Sequence, residues 1–179
     1  MILKSELDRA KIEAAALIEQ AGIYITNHEK EKITAADFGL SNLWKEGIEI
    51  LTLFETERIA AKILVLFPFQ TEPEHWHPSV DNDPGKEEII RAVWGDLYFY
   101  IPGADTRKKG FLIEGKENVY TMRHEEDLAP GDQLILPPGT KHWFQAGARG
   151  AVMYSFSTTV RDVMDQFSDP DIVRTTVIK

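Results

Sequence analysis

Three of the five histidines lie in two short segments whose spacing suits a metal ion. His75 and His77 stand two residues apart, on either side of Trp76. On a strand, residues two apart project from the same face, so both imidazoles can reach one point. A His-x-His pair alone is more often a surface pair than a metal site, so it predicts a site only if further ligands accompany it.

Further ligands come from the second segment and from the region between the two. Residues 131–142 predict a turn, a strand, a Pro-Pro-Gly turn and then His142 at the start of another strand. Glu88 opens a strand that reaches Gly95, and strand alternation does not choose between Glu88 and Glu87, since apolar residues follow on both faces. Three imidazoles and one carboxylate leave open positions on an octahedral ion and suit Mn, Fe, Co, Ni or Zn better than Ca or Mg. Open positions indicate catalysis.

The elements that must position these residues are mostly short strands. Apolar spacing over residues 5–21 predicts an amphipathic helix, and residues 26–36 predict a second one capped by Thr26 or Asn27. From residue 47 onward, runs rich in Ile, Val, Leu, Phe and Tyr alternate with Gly, Pro and Asp clusters. Such runs favour an antiparallel sandwich or barrel over a parallel α/β sheet. The predicted strands are 47–54, 59–67, 87–94, 97–101, 133–136 and 152–157, with turns at 95–96 and 146–148 among others.

The composition fits one globular domain of 179 residues, since hydrophobic residues make up 43% of the chain. The chain has no cysteine, which excludes disulfides, thiolate metal sites and a catalytic thiol. A formal charge of -9 disfavours nucleic acid and anionic membrane surfaces as partners. The first 22 residues carry several charges where a signal peptide needs an apolar stretch, so we expect a cytoplasmic protein.

The combined spacing His-x-His, Glu-x6-Gly and Gly-x5-Pro-x-Gly-x2-His resembles the paired motifs of the cupin superfamily. The match covers residues 74–95 and 131–142, and only Glu88 has the Glu-x6-Gly spacing. The long insert at 78–87, with similar segments across about residues 67–173, resembles the D-lyxose isomerase family of cupins. This resemblance implies a mainly β fold, a cupin jelly-roll β-barrel with N-terminal α-helices. A helical segment, 1–44, would pack on a barrel domain, 45–179, that includes a C-terminal tail.

The same resemblance implies a manganese-dependent aldose–ketose isomerase that binds its metal through His75, His77, Glu88 and His142. Other divalent transition metals would suit the same ligands. The reaction would interconvert D-lyxose and D-xylulose, or D-mannose and D-fructose, through an enediol intermediate. Cupins of this kind commonly pair, so we expect a homodimer with a small-molecule sugar as substrate and with neither nucleic acid nor membrane as partner.

Three residues are candidates for catalysis beside the metal. Lys86 precedes Glu88 by two positions, and it either donates to a sugar oxygen or is a solvated lysine in a glycine turn. Asp162 and Asp165 match the Asp-x-x-Asp of the family tail, and they are either acid/base carboxylates or cap and turn residues. Some relatives carry an acidic residue near the position of Ser155. Because a hydroxyl is a poor base, either another carboxylate takes that role or the activity is low.

Two further functions stay open on the sequence. The same four ligands would suit an Fe(II)-dependent cupin dioxygenase, whose activity would be lost without oxygen. A non-catalytic sugar-binding cupin would keep sugar affinity but would never exchange the C2 hydrogen of the sugar with solvent.

Overall fold

The computed structural model describes the whole chain, from Met1 to Lys179. It contains two α-helices, nine β-strands and one short 3₁₀ helix, Asp162–Met164. The helices are α1 (Lys4–Gln20) and α2 (Asn27–Lys32). The strands are β1 (Thr34–Ala36), β2 (Ile48–Glu55), β3 (Ile59–Leu66), β4 (Thr71–Trp76), β5 (Glu88–Ile101), β6 (His124–Leu128), β7 (Gln133–Leu136), β8 (His142–Thr158) and β9 (Gln166–Phe167).

The sheet is antiparallel and curls around two long strands, β5 and β8. The first half of β8 pairs with β4, its second half pairs with β3, and β5 pairs with both halves. Strands β1 and β2 extend the sheet from β3, and β6 and β7 extend it from β5. The predicted mainly β fold with N-terminal helices is confirmed.

Apolar side chains form two layers on opposite faces of the sheet. Along β3, Leu64 and Leu66 belong to the interior core, whereas Ile63 and Val65 pack with the buried residues of helix α1. Successive residues of a strand point to opposite faces, so one strand serves both layers. Helix α1 therefore covers part of the outer face of the sheet and leaves the interior to the core and the polar residues described below.

Two predicted turns are wrong, because the long strands bend there instead of reversing. Strand β5 continues through Gly95, and β8 continues through residues 146–148. The register of β5 against β8 shifts on both sides of this point. A Cβ atom at Gly95, where φ is +91°, would lie 2.1 Å from the carbonyl oxygen of Gly150. Glycine at this position thus permits a close approach of the two paired backbones, and no hairpin turn forms.

The N-terminal segment is not wholly helical. Thr26, one of the two predicted caps, caps α2 and forms a capping box with Glu29. However, α2 ends at Lys32, and β1 pairs with β2 of the barrel. The division of the chain at residue 44 stays a prediction. No helix of this structure has the length and apolar character needed to cross a membrane.

Glu49 is a fully buried carboxyl group on β2. Its Oε1 accepts a hydrogen bond from Gln70 Nε2 at 3.3 Å, whereas Oε2 has no partner. Burial therefore raises the pKa of Glu49 well above its ordinary value. Above the unfolded pKa, the folded chain binds a proton that the unfolded chain releases, so the stability falls as the pH rises towards the raised pKa.

We expect Glu49→Gln to remove this loss of stability. At pH 8 the variant should exceed the parent in free energy of unfolding by roughly 1–3 kcal/mol, because no buried carboxyl group has to be kept protonated. At pH 4 the two proteins should be nearly equal. Denaturant titrations of both metal-free proteins at the two pH values measure the difference. A gain of the same size at both pH values would contradict this explanation.

Candidate metal centre

The three predicted histidines converge inside the barrel. His75 in β4 lies directly opposite His142, the first residue of β8, and His77 follows the end of β4. The ring centroids of His75 and His142 are 4.2 Å apart. The centroid of His77 lies 5.2 Å from that of His75 and 5.5 Å from that of His142. One ring nitrogen of each histidine lies within 4.8 Å of the others. All three side chains are buried.

Hydrogen bonds at Nδ1 orient all three rings. His75 Nδ1 lies 2.9 Å from the Pro73 carbonyl oxygen, His142 Nδ1 lies 2.8 Å from the Thr140 carbonyl oxygen, and His77 Nδ1 lies 2.7 Å from Asp165 Oδ1. An imidazole that donates from Nδ1 keeps its lone pair on Nε2. His142 Nε2 is buried without any hydrogen-bond partner. Metal-binding histidines typically have this arrangement, so the three residues fit a divalent ion.

The charge state of the rings also suits metal ligands. Burial lowers the pKa of His142 to about 4, and it lowers that of His75 well below its ordinary value. Both rings are therefore neutral near pH 7. Burial acts in the same direction on His77, but hydrogen bonds to Asp165 and Glu88 outweigh it and raise the pKa of that ring.

Glu88 lies beside this cluster, at the start of β5. Its Oε2 lies 3.1 Å from His77 Nε2, which is similar to the separation of about 3 Å between neighbouring ligand atoms on one ion. Its Oε1 accepts a hydrogen bond from the Ser155 hydroxyl. Burial would raise the pKa of Glu88, but Lys86 and His77 hold it well below its ordinary value. Glu87 is exposed, so the structure brings Glu88 and not its neighbour to the histidines.

Lys86 lies in an ion-pair network next to Glu88. Its Nζ lies 3.2 Å from Asp162 Oδ1 and 3.7 Å from Glu88 Oε1, and Asp162 also pairs with Lys62 and Arg174. Burial would lower the pKa of Lys86, but the two carboxylates raise it above its ordinary value, so the side chain is a buried cation. Burial would raise the pKa of Asp162, yet Lys86 and Lys62 lower it to about 2.

The two predicted aspartates occupy different positions. Asp162 begins the 3₁₀ helix and anchors Lys86, whereas Asp165 follows this helix and accepts a hydrogen bond from His77 Nδ1. Arg174 Nε lies 3.9 Å from Asp165 Oδ2. Both carboxylates are therefore engaged by cations or by a ring nitrogen.

Sequence reasoning missed three residues that line the same cavity: Lys62 of β3, Glu72 of β4 and Arg174 of the C-terminal tail. The cavity has a volume of about 30 Å³, which is room for an ion or for water but not for a sugar. An open groove of about 360 Å³ shares Lys62, Asp162 and Arg174 in its lining. The groove and the cavity are therefore adjacent, and the cavity must widen before a sugar can bind beside the histidines.

Glu72 differs from the other carboxylates of the cavity. Its side chain is largely buried, and its Oε1 lies 3.9 Å from Nε2 of the neutral His75 ring. Burial and the nearby Glu88 carboxylate raise the pKa of Glu72 to about 8.

Comparison with known proteins gives close sequence relatives and more distant structural ones. No family model matches the chain. The D-lyxose ketol-isomerase of Cohnella laeviribosi is 45% identical over 176 residues, which covers 98% of this chain and 97% of that protein. The D-lyxose/D-mannose isomerase of Thermosediminibacter oceani is 43% identical, with 97% of each chain covered. Among solved structures, this chain is similar to Acinetobacter sp. DL28 L-ribose isomerase in complex with L-ribose, with a TM-score of 0.79. The two sequences are 16% identical, and the superposition covers 99% of this chain and 98% of the other.

The structural similarity to the L-ribose isomerase shows the fold, because the sequence identity is low. The sequence relatives show more, because the identity is high and extends over nearly the full length of both chains. The chain therefore belongs to the D-lyxose ketol-isomerase family of aldose–ketose isomerases.

Proposed function

We propose that this isomerase interconverts D-lyxose and D-xylulose, with D-mannose and D-fructose as a second substrate pair, and that it uses Mn²⁺ held by His75, His77, Glu88 and His142. The names of two relatives, a D-lyxose ketol-isomerase and a D-lyxose/D-mannose isomerase, support these substrates. The observation that carries the metal site is the buried, unpartnered Nε2 of His142 beside two further imidazoles. Membership of an isomerase family decides against the dioxygenase and the binding module that the sequence left open.

The proposed reaction moves a hydrogen between C1 and C2 of the sugar. A bound divalent ion would supply positive charge that holds and polarises the two substrate oxygens. Lys86 would donate a hydrogen bond from Nζ to the oxygen on which negative charge develops. A buried ammonium already held in place needs little rearrangement to do so, and such prearranged donors stabilise charge strongly.

Asp162 and Asp165 complete the proposed site. Asp162 would fix the position of Lys86, and Asp165 would fix the ring of His77 through its Nδ1 hydrogen bond. The hypothesis that one of these aspartates moves the C2 proton stays a prediction. Their existing ion pairs and hydrogen bonds count against it, since an oxygen engaged by a cation is a weaker base.

Incubation of metal-free protein with Mn²⁺ and a panel of pentoses and hexoses, in the absence of oxygen, tests the function. We expect ketose from D-lyxose and from D-mannose, and no product without metal. Parallel samples with Fe²⁺, Co²⁺, Ni²⁺ and Zn²⁺ test the choice of metal. If no sugar of the panel yields a ketose with any of these metals, the proposed substrates are wrong.

We also propose that two copies of the chain associate through the outer face of the sheet. Directly paired residues form an apolar row across five strands: Phe54, Ala61, Phe156, Ile89 and Ile135. Phe54, Phe156 and Ile135 are exposed. Exposed apolar patches commonly mark interfaces, and one patch can meet its copy about a two-fold axis. The cytoplasmic location stays a prediction.

Sedimentation at micromolar concentration tests this association. We expect a dimer for the parent protein and a monomer for Phe156→Glu, because a charge in the middle of the row cannot be buried without a partner. A parent protein that sediments as a monomer would refute the proposal.

A further inference from the structure

We propose that Glu72 is the carboxylate that carries the proton between C1 and C2 of the sugar. The proposal rests on the isomerase function above and names the base that the site needs. No carboxylate stands at position 155, where Ser155 donates its hydroxyl to Glu88. A hydroxyl has too high a pKa to remove a carbon-bound proton unaided. Another side chain that faces the cavity must therefore do so.

A bulge in β4 directs Glu72 towards the metal ligands. Glu72 pairs with Phe144 of β8, and His75 pairs with His142, so three steps along β4 correspond to two steps along β8. Phe144 and His142, two apart on a strand, share a face, and their partners Glu72 and His75 share it too. In a regular strand, residues three apart would point to opposite faces. The extra residue thus brings the Glu72 carboxylate into the cavity with the histidines.

Glu72 is also the one carboxylate of the cavity that accepts no hydrogen bond from the protein. Glu88 is held by Ser155 and His77, Asp162 by Lys62 and Lys86, and Asp165 by His77. Oε1 of Glu72 lies 3.9 Å from His75 Nε2, which is beyond hydrogen-bonding distance. Leaving a largely buried carboxylate unpaired is costly, and such groups are commonly retained for a functional reason.

The position of Glu72 relative to Lys86 suits the proton transfer. Both side chains line the same small cavity as Glu88, His75 and His77. Once the cavity has widened to admit a sugar, that sugar would have a carboxyl group with free oxygens near its C1 and C2, and the ammonium group of Lys86 near its oxygens. A base and a hydrogen-bond donor on the same substrate are the two groups that an enediol mechanism requires.

The step balances without a further reactant. The carboxylate of Glu72 takes the proton from C2 of the aldose, the C2–H electron pair forms the C1=C2 double bond, and the carbonyl electron pair moves to O1. The proton of the C2 hydroxyl group then passes to O1. As C2=O2 forms, the electron pair of the C1=C2 bond takes the proton back from Glu72 at C1. The product is the ketose, and Glu72 is a carboxylate again.

The experiment compares Glu72→Gln with the parent holoenzyme. We expect the variant to keep stoichiometric Mn²⁺ by atomic emission and to bind D-lyxose with a Kd within about threefold of the parent, because the amide preserves shape and polarity. Ketose formation and exchange of the C2 hydrogen with D₂O should both fall roughly a hundred- to ten-thousand-fold. Glu57→Gln, an exposed residue of the β2–β3 turn, is the matched control and should exchange at the parent rate.

A second variant separates proton transfer from a merely structural role. Glu72→Ala should be equally slow, and added formate should restore part of its exchange, because a small carboxylate can enter the space that the side chain leaves. Exchange by Glu72→Gln within tenfold of the parent rate, loss of Mn²⁺ from Glu72→Gln, or no rescue of a folded Glu72→Ala by formate would each overturn the proposal. A parent protein that isomerises no sugar would instead overturn the proposed function, and this inference with it.

Discussion

Replacing His142 by Ala is expected to abolish tight Mn²⁺ binding and all measurable isomerisation. His142 is buried opposite His75, and its Nε2 has no hydrogen-bond partner within the protein. Loss of a residue that merely supports a metal ligand costs about 10- to 100-fold in metal affinity, so loss of a ligand should cost more than 100-fold. Equilibrium dialysis with Mn²⁺, followed by metal analysis, measures this effect.

The fold should survive the replacement. The ring of His142 stacks on Phe99, and its removal leaves a cavity that costs roughly 2–4 kcal/mol, which a barrel of this size can lose without unfolding at 25 °C. His28→Ala is the control, because His28 is exposed in α2. Glu88→Ala should behave like His142→Ala. Stoichiometric Mn²⁺ in both the Glu88 and the His142 variants would rule out this set of ligands.

Replacing Lys86 by Met should lower kcat roughly a hundred- to ten-thousand-fold while the Mn²⁺ content stays unchanged. Methionine keeps the length of the side chain and removes the ammonium group that lies between Asp162 and Glu88. The proposed role is stabilisation of a charge that develops only during the reaction. The drop should therefore appear in kcat more than in KM.

Lys62→Met provides the comparison for Lys86. Lys62 also pairs with Asp162, but Glu88 is not among its ion-pair partners. If loss of an Asp162 partner alone explained the effect, both variants would be equally slow. We expect the Lys62 variant to retain at least ten times the kcat of the Lys86 variant, and equal values would exclude a direct role for Lys86.

Motif spacing predicts the cluster of three histidines and Glu88, because His75, Glu88 and His142 lie on strands and His77 directly follows one. The positions of these four residues on or next to strands can therefore be predicted from the local sequence. The position of Glu72 cannot, since strict alternation would place it on the face opposite to His75. Only the pairing of β4 with β8 reveals the bulge, which places Glu72 on the same face as His75.

Long-range contacts explain the other differences between sequence and structure. Gly95 and residues 146–148 have the composition of turns, and only the pairing of β5 with β8 shows that they lie within continuous strands. Lys62 and Arg174 are separated by more than half of the chain, and nothing in either neighbourhood indicates that both meet Asp162. Ion pairs between distant segments leave no local periodic pattern from which they could be predicted.

The central place of β8 in the sheet also determines the order in which the chain can fold. Strand β8 is the last long strand in sequence, and it pairs with β3, β4 and β5, all of which precede it. Such non-local pairings require the loops between them to close first, which makes folding slow. His75 and His142 meet only when β4 and β8 pair, so the three imidazoles form a complete set late in this process. Bound metal should therefore slow unfolding far more than it speeds folding.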